Sequence, residues 1–239
     1  MGRNMITLGL LETDILYDDL VQDYQSYGHM FARFFSSLNP DIHFRYYQVQ
    51  QGELPTDLSE CDAWLITGSK AGVYESHPWI AALQAWIKEA YQKQQRLLGV
   101  CFGHQLLAHT LGGKAIKNPD GWGIGVHTAE LLYVAQCFRD PKREINLLYS
   151  HQDQVVELPP EAHCFLSSDF CRYAGFIIPE RVFTVQGHPE FTPEYLKRLL
   201  HRRQTCIGAD TYKAGMLSLN EATDADLIGR WMIEFMQVK

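Results

Sequence analysis

The chain has no C-x-x-C pair, although it carries six cysteines. Cys61, Cys101, Cys137, Cys164, Cys171 and Cys206 are scattered, which excludes a zinc ribbon or a dithiol redox pair. In a reducing cytosol such cysteines are expected to be free and mostly buried. No apolar run approaches the roughly 20 residues that a membrane helix needs. Positive charge is scarce: 21 Lys and Arg stand against 28 Asp and Glu, a formal charge of −7. No nucleic-acid footprint is therefore expected, and a small soluble substrate or partner is the better default. Linkers, repeats and low-complexity segments are missing as well. His104 and His109 lack the H-E-x-x-H form and read as a site-lining and a structural residue. Gly68-Ser69-Lys70-Ala71-Gly72 lacks the G-x-x-x-x-G-K-[ST] spacing of a phosphate loop. Neither a metal nor a cofactor is expected.

What is present is an alternation of strands and helices. MGRNMITLGLLETD reads as a first strand (residues 5–10) rather than a signal peptide, because acids follow a short apolar stretch. A cytoplasmic chain without membrane contact is the expectation. Residues 19–38 carry apolar positions at helical spacing (Tyr27, Met30, Phe31, Phe34, Phe35, Leu38) and read as one helix. DIHFRYYQV alternates as a second strand, and CDAWLITGS is a short buried strand ending in a glycine loop. HPWIAALQAWIKEAYQKQ is a helix with Pro78 suited to its first turn. RLLGVCF is another buried strand, and GHQLLAHTLGG a helix with a Gly-Gly stop. This order predicts an α/β fold: a mostly parallel open sheet with helices on both faces. Five short segments between residues 121 and 191 read as strands, some forming an antiparallel edge. Two helical patterns follow Thr192. One domain over residues 1–239 is expected, with a core of about 5–195 and a helical C-terminal extension of about 196–239.

Cys101 sits in Gly99-Val100-Cys101-Phe102-Gly103, between a strand and a helix. A cysteine there is a small buried hydrophobe, a metal ligand or a nucleophile. The G-x-C-x-G form is that of a nucleophile elbow with sulfur in place of hydroxyl. So sharp a turn requires small neighbours, and Gly99 and Gly103 supply them. The thiol then projects at the carboxyl end of the sheet, where open α/β folds bind ligands. A helix N-terminus beneath it favours thiolate, and the Phe102 N–H is placed to hold an oxyanion. A thiolate nucleophile needs a base. In VFTVQGHPEF, Pro189 pushes His188 toward an extended conformation, so His188 and Glu190 would share a face. A carboxylate there orients the imidazole while its other nitrogen meets the thiol. A surface His-Pro turn with a solvated Glu190 is the plainer alternative.

On these motifs the chain resembles the class I, or triad-type, glutamine amidotransferases. GVCFGHQLLAHTLGG is similar to that family's nucleophile segment and VQGHPEF to its His-x-Glu segment. LITGSKAGVYE resembles its oxyanion loop, and YSHQDQVVELP the segment that GMP-synthetase-type members set beside the bound glutamine. The resemblance spans about residues 5–195 and implies a flavodoxin-like class I amidotransferase fold. It implies Cys101 as nucleophile, His188 as base and Glu190 as its orienter. It further implies that Gln105 contacts the γ-glutamyl part, with Ser150, His151 and Gln152 near the α-amino and α-carboxylate ends. One departure is that many members have a second glycine in the oxyanion loop, where this chain reads Gly68-Ser69-Lys70. The second oxyanion donor is thus left open between Gly68 and Ser69.

The implied reaction is cleavage of the glutamine side-chain amide through a cysteinyl thioester, releasing glutamate and ammonia. Family members usually pass ammonia to a synthetase, and too few residues follow Glu190 to hold one. The expectation is therefore a separate synthetase partner, or hydrolysis as the function itself. A γ-glutamyl peptide hydrolase with the same triad and a non-catalytic regulatory subunit are the alternatives. Lys197, Arg198, Arg202 and Arg203 read as a solvated helix face, with partner docking as the sharper idea. Asp18, Asp19 and Asp23 read as a solvated first helical turn.

Overall fold

The computed structural model of the chain describes residues 5–237; residues 1–4 and 238–239, the ends of the expected single domain, lie outside it. The first strand, β1 (Ile6–Glu12), leads through α1 (Asp18–Tyr24) and α2 (Tyr27–Leu38) to β2 (Ile42–Gln48). Next come β3 (Ala63–Ile66), α3 (Pro78–Gln92), β4 (Arg96–Val100) and α4 (Phe102–Thr110). A strand-rich stretch follows: β5 (Lys114–Lys117), β6 (Gly123–Leu131), β7 (Glu144–His151), β8 (Asp153–Glu157), β9 (His163–Ser167), β10 (Gly175–Ile178) and β11 (Val182–Val185). Three helices close the chain: α5 (Pro193–Ile207), α6 (Ala209–Ser218) and α7 (Ala225–Gln237).

Nine strands form one sheet in the order β2-β1-β3-β4-β11-β10-β9-β6-β7. The run from β2 to β11 is parallel, and the run from β11 to β7 is antiparallel. β5 and β8 pair in a separate two-stranded sheet. The apolar β3 and β10 are buried along their whole length, as a sheet covered on both faces requires. Alternate side chains serve the two faces. Leu98 and Val100 of β4 join a core with α2 and α7, while Leu97 joins one with α3 and α4. This is the expected mostly parallel α/β sheet with an antiparallel edge. No described helix is long and apolar enough to cross a membrane.

The structure corrects the sequence reading at three places. The single helix expected over residues 19–38 is two, because Gln25 has φ 65° and Ser26 restarts the helix as an N-cap, its hydroxyl accepting the His29 N–H at 3.2 Å. The stretch 145–158 divides at Gln152 into strands of different sheets, and β5 was not foreseen. The C-terminal region contains a third helix, α6, and α7 is integral to the core. Trp231 of α7 stacks on Phe138 at 4.2 Å, and Phe235 meets Phe183 at 5.8 Å. Burial of each such ring contributes about 1.5–3 kcal/mol.

Candidate functional site

The carboxyl ends of β3, β4 and β11 lie side by side, since these strands are parallel neighbours. Val100 pairs with Val185. That register brings Cys101 and His188 to one edge of the sheet, although 87 positions separate them in sequence.

Cys101 occupies the turn between β4 and α4 with φ 55° and ψ −104°, a conformation costly for a residue with a side chain. The surroundings hold it there. Its N–H donates to the Val185 carbonyl at 3.0 Å, and its own carbonyl accepts the Gln105 N–H at 3.0 Å. The neighbouring Gly103 N–H donates to the Thr67 carbonyl at 3.2 Å. Both glycines of the motif are forced by packing. A Cβ at Gly103 would stand 2.2 Å from the Ile66 carbonyl oxygen, and one at Gly99 would stand 2.6 Å from backbone atoms of Gly103. Because the obstacle at Gly103 is backbone, Gly103→Ala is expected to cost about 3 kcal/mol, the upper end of overpacking. A denaturant midpoint equal to that of the parent would contradict this.

His188 leaves β11 in a bridge to β7, its N–H donating to the Leu148 carbonyl at 2.8 Å. Its Nδ1 meets Glu190 Oε1 at 2.8 Å, and its ring stacks on Phe191 at 3.8 Å. Pro189 and Glu190 lie in a turn, not in the extended run expected from the sequence, yet the histidine and the carboxylate do meet. The imidazole is also hydrogen-bonded to the Cys101 side chain. With Nδ1 engaged by Glu190, Nε2 is the nitrogen left for sulfur. The plainer alternative of a solvated Glu190 does not hold: the side chains of His188 and Glu190 are 4% and 0% exposed.

Burial alone would push the His188 ring down. The Glu190 carboxylate and the Cys101 thiolate outweigh burial and raise it from 6.5 to about 10. A raised histidine stabilises the fold fully below its unfolded value and loses that contribution as pH climbs through its folded one. Urea unfolding is therefore expected to show a stability decline between about pH 6.5 and 10. His188→Asn should flatten that decline, and an unchanged slope would contradict the assignment.

The loop after β3 passes over this pair. A Cβ at Gly68 would lie 3.0 Å from His188 Cε1 and 3.7 Å from Cys101 Cβ, so any side chain there would press on the imidazole. Thr13, at the end of β1, donates its hydroxyl to the Thr67 and Gly68 carbonyls at 3.1 and 3.0 Å. Across each trans peptide, the Gly68 and Ser69 N–H groups point away from those tethered carbonyls. Asp14, buried, accepts the Lys70 N–H at 2.9 Å and the Lys70 ammonium at 2.6 Å. Thr13 and Asp14 thus anchor the loop, a task the sequence reading did not assign to them.

Cys101 opens into a cavity of about 350 Å³ that also takes in Ser69, Gln105, Ser150, His151 and Gln152. Gly68, Phe102, His188 and Glu190 are not part of its lining. The Gln105 amide donates to the Asp153 carbonyl at 2.7 Å and to Gln186 Oε1 at 3.0 Å. Burial lowers the His151 ring to about 3, so it is neutral; its Nδ1 then donates to the Asp153 carbonyl at 2.9 Å. Asp153 and Tyr74 are among the lining residues that escaped the sequence reading, and Arg203, read there as part of a solvated helix face, lines the cavity as well. Burial raises the Asp153 carboxyl. Arg203 donates to the Ser150 hydroxyl at 2.9 Å.

The basic cluster on α5 is not a uniform solvated face. Arg198 pairs with Asp23 at 2.6 Å, and Arg202 pairs with Asp19. Two of the acids read as a solvated first turn are thus ion-paired across to α5. His104, read as site-lining, is instead fully buried and absent from the cavity lining, with Nδ1 2.8 Å from the Thr184 hydroxyl. Burial lowers it to about 3. Among the described residues no group of three or more His, Cys, Asp or Glu is gathered for a metal ion.

Comparison with known proteins gives this arrangement a family. The profile of Glutamine amidotransferase class-I matches residues 20–204. A glutamine amidotransferase-like protein of Schizosaccharomyces pombe is 30% identical over 184 residues, covering 75% of this chain and 74% of the relative. Gamma-glutamyl peptidase 3 of Arabidopsis thaliana is 28% identical over 187 residues, covering 74% and 75%. In fold, the crystal structure of a glutamine amidotransferase from Thermotoga maritima superposes with a TM-score of 0.76 at 21% identity, covering 98% of this chain and 97% of that one. The chain belongs to the class I glutamine amidotransferase family.

Proposed function

We propose that the chain hydrolyses the side-chain amide of glutamine, or the γ-amide of a γ-glutamyl compound, through a thioester on Cys101. The observation that carries this reading is the buried Cys101–His188–Glu190 relay, whose cysteine lines a pocket of substrate size. In the first half-reaction the thiol proton resides on His188 Nε2, and sulfur attacks the γ-carbonyl carbon. The N–H of Phe102 and that of Gly68 or Ser69 hold the oxyanion; one such donor is worth about 2.7–4 kcal/mol. His188 gives its proton to the leaving nitrogen as the C–N bond breaks, which frees ammonia or an amine. In the second half-reaction the neutral imidazole takes a proton from water. Hydroxide adds to the thioester, and the C–S bond breaks to release glutamate and restore the thiol.

Gln105, Ser150, His151 and Gln152 supply the polar contacts of the glutamyl end. No step requires a metal or an organic cofactor. The reading sets the chain in a reducing compartment such as the cytoplasm, in keeping with six unpaired cysteines. The γ-glutamyl peptide reading is favoured by one observation. A gamma-glutamyl peptidase of Arabidopsis thaliana aligns over about three quarters of its own length, whereas the GMP synthase of Streptococcus pyogenes aligns over 20%. The deciding experiment compares turnover of free glutamine with that of γ-glutamyl dipeptides, alone and with added synthetases. Hydrolysis of either by the isolated chain supports the reading. Hydrolysis of neither, in all these conditions, would overturn it in favour of a non-catalytic subunit.

A further inference from the structure

Arg203 is a pocket cation that the chemistry at Cys101 leaves unused. Its helix-mates Arg198 and Arg202 are ion-paired with Asp23 and Asp19. Lys70, which also lines the pocket, is bound to the buried Asp14. Arg203 itself is half-buried and has no carboxylate partner among the described residues. It touches only neutral groups instead: the Ser150 hydroxyl at 2.9 Å, the Ser150 carbonyl at 3.4 Å and the Trp122 ring, whose centroid lies 5.6 Å away. A guanidinium stays charged at every working pH, so its lack of a counter-ion in a recess leaves an anion receptor. The contacts with Trp122 and Ser150 orient it, and its Nε and second amino group meet no acceptor among the described residues. Its planar fork suits a carboxylate, which accepts two parallel bonds. The acids of the same cavity, Asp153 and Glu75, would repel an anion from their own positions.

We propose that Arg203 is a specificity-determining residue that takes a carboxylate of the substrate at the Ser150 end of the pocket. This rests on the γ-glutamyl chemistry proposed at Cys101. Two carboxylates have the right chemistry: the α-carboxylate of the glutamyl unit, and the terminal carboxylate of the amino acid that leaves from a γ-glutamyl dipeptide. Either is bound alike in ground and transition states. Loss of Arg203 therefore raises KM and leaves kcat nearly unchanged. The residue comes from α5, beyond the last catalytic motif, so this helix forms part of the pocket wall.

The test compares each acid with its amide: L-glutamine with its α-amide, and γ-glutamylglycine with γ-glutamylglycinamide. The parent is expected to prefer the acid in at least one pair by about 10- to 100-fold, the worth of a charge-assisted hydrogen bond. Arg203→Gln is expected to collapse that preference toward unity through KM, and Arg203→Lys to keep part of it. Arg198→Gln, on the same helix, should keep all of it. The pair that responds identifies which carboxylate is read. An unchanged preference in Arg203→Gln, or an equal loss on acid and amide, overturns the proposal. Calorimetric binding of the four compounds in a Cys101→Ala background separates this from turnover. Absent hydrolysis with Arg203-dependent binding defeats the proposed function and upholds the carboxylate site. Hydrolysis with Arg203-independent binding does the reverse.

Discussion

Cys101→Ala is expected to lose γ-glutamyl hydrolysis by on the order of 10⁶-fold, the scale on which removal of a covalent nucleophile acts. The size follows from the division of labour in the site. Without sulfur there is no acyl-enzyme, and the His188–Glu190 pair has no thiol to deprotonate. Water in the cavity could be polarised by the same pair, but it lacks the fixed position of a side chain held by a strained turn. The fold should survive the change. Alanine keeps the Cβ already accommodated at φ 55°, and the backbone bonds to Val185 and Gln105 do not involve sulfur. Released glutamate gives the rate, and the unfolding midpoint gives the control. A variant with native stability and more than about one hundredth of parental turnover would refute the nucleophile assignment.

Glu190→Gln is expected to lower kcat by about 10⁴-fold, as when the orienting carboxylate of a comparable triad is made neutral. Glu190 Oε1 stands 2.8 Å from His188 Nδ1, and both side chains are shut off from solvent. An amide in that place can turn its NH₂ toward Nδ1. The ring proton would then sit on Nε2, and the base would face sulfur already protonated. The variant also loses the charge that holds the His188 proton against burial. Its imidazolium is expected to deprotonate at lower pH than the parent, whose ring is raised to about 10. Histidine proton resonances followed against pH check the direction, and the hydrolysis rate checks the magnitude. Equal titration in parent and variant would contradict the pairing.

The turn that carries Cys101 was legible because its cause is local. A cysteine flanked two residues away by glycines, between a buried strand and a helix, describes a backbone that excludes larger neighbours. The contacts of Gly99 and Gly103 show the same exclusion. The pairing of His188 with Glu190 was legible from spacing, though by a partly mistaken route, since a turn and not an extended run brings them together. Nothing local in the sequence joins residue 101 to residue 188. That junction is the parallel register of β4 and β11, a long-range property available only through family resemblance.

The inward turn of Arg203 was missed, although helical geometry carried a signal. Residues four apart, such as Arg198 and Arg202, share a face and meet Asp19 and Asp23, whereas the next residue lies about 100° around the helix. Thr13 and Asp14 were missed because their work is done across space. They lie 54 and 56 positions from Thr67 and Lys70, and adjacent parallel strands bring them together. Helix α6 has a single buried residue, Gly215, so it lacks the apolar stripe that reveals a helix in sequence.

The most direct measurement is the site of covalent capture by an electrophilic glutamine analogue, read by intact mass and peptide mapping. Two cysteines line the cavity, Cys101 and the exposed Cys206, so the outcome is discriminating. The expected result is one adduct, on Cys101, formed in step with loss of hydrolysis and absent from Cys101→Ala. Labelling confined to Cys206, or full hydrolysis by a chain whose Cys101 is blocked, would contradict it.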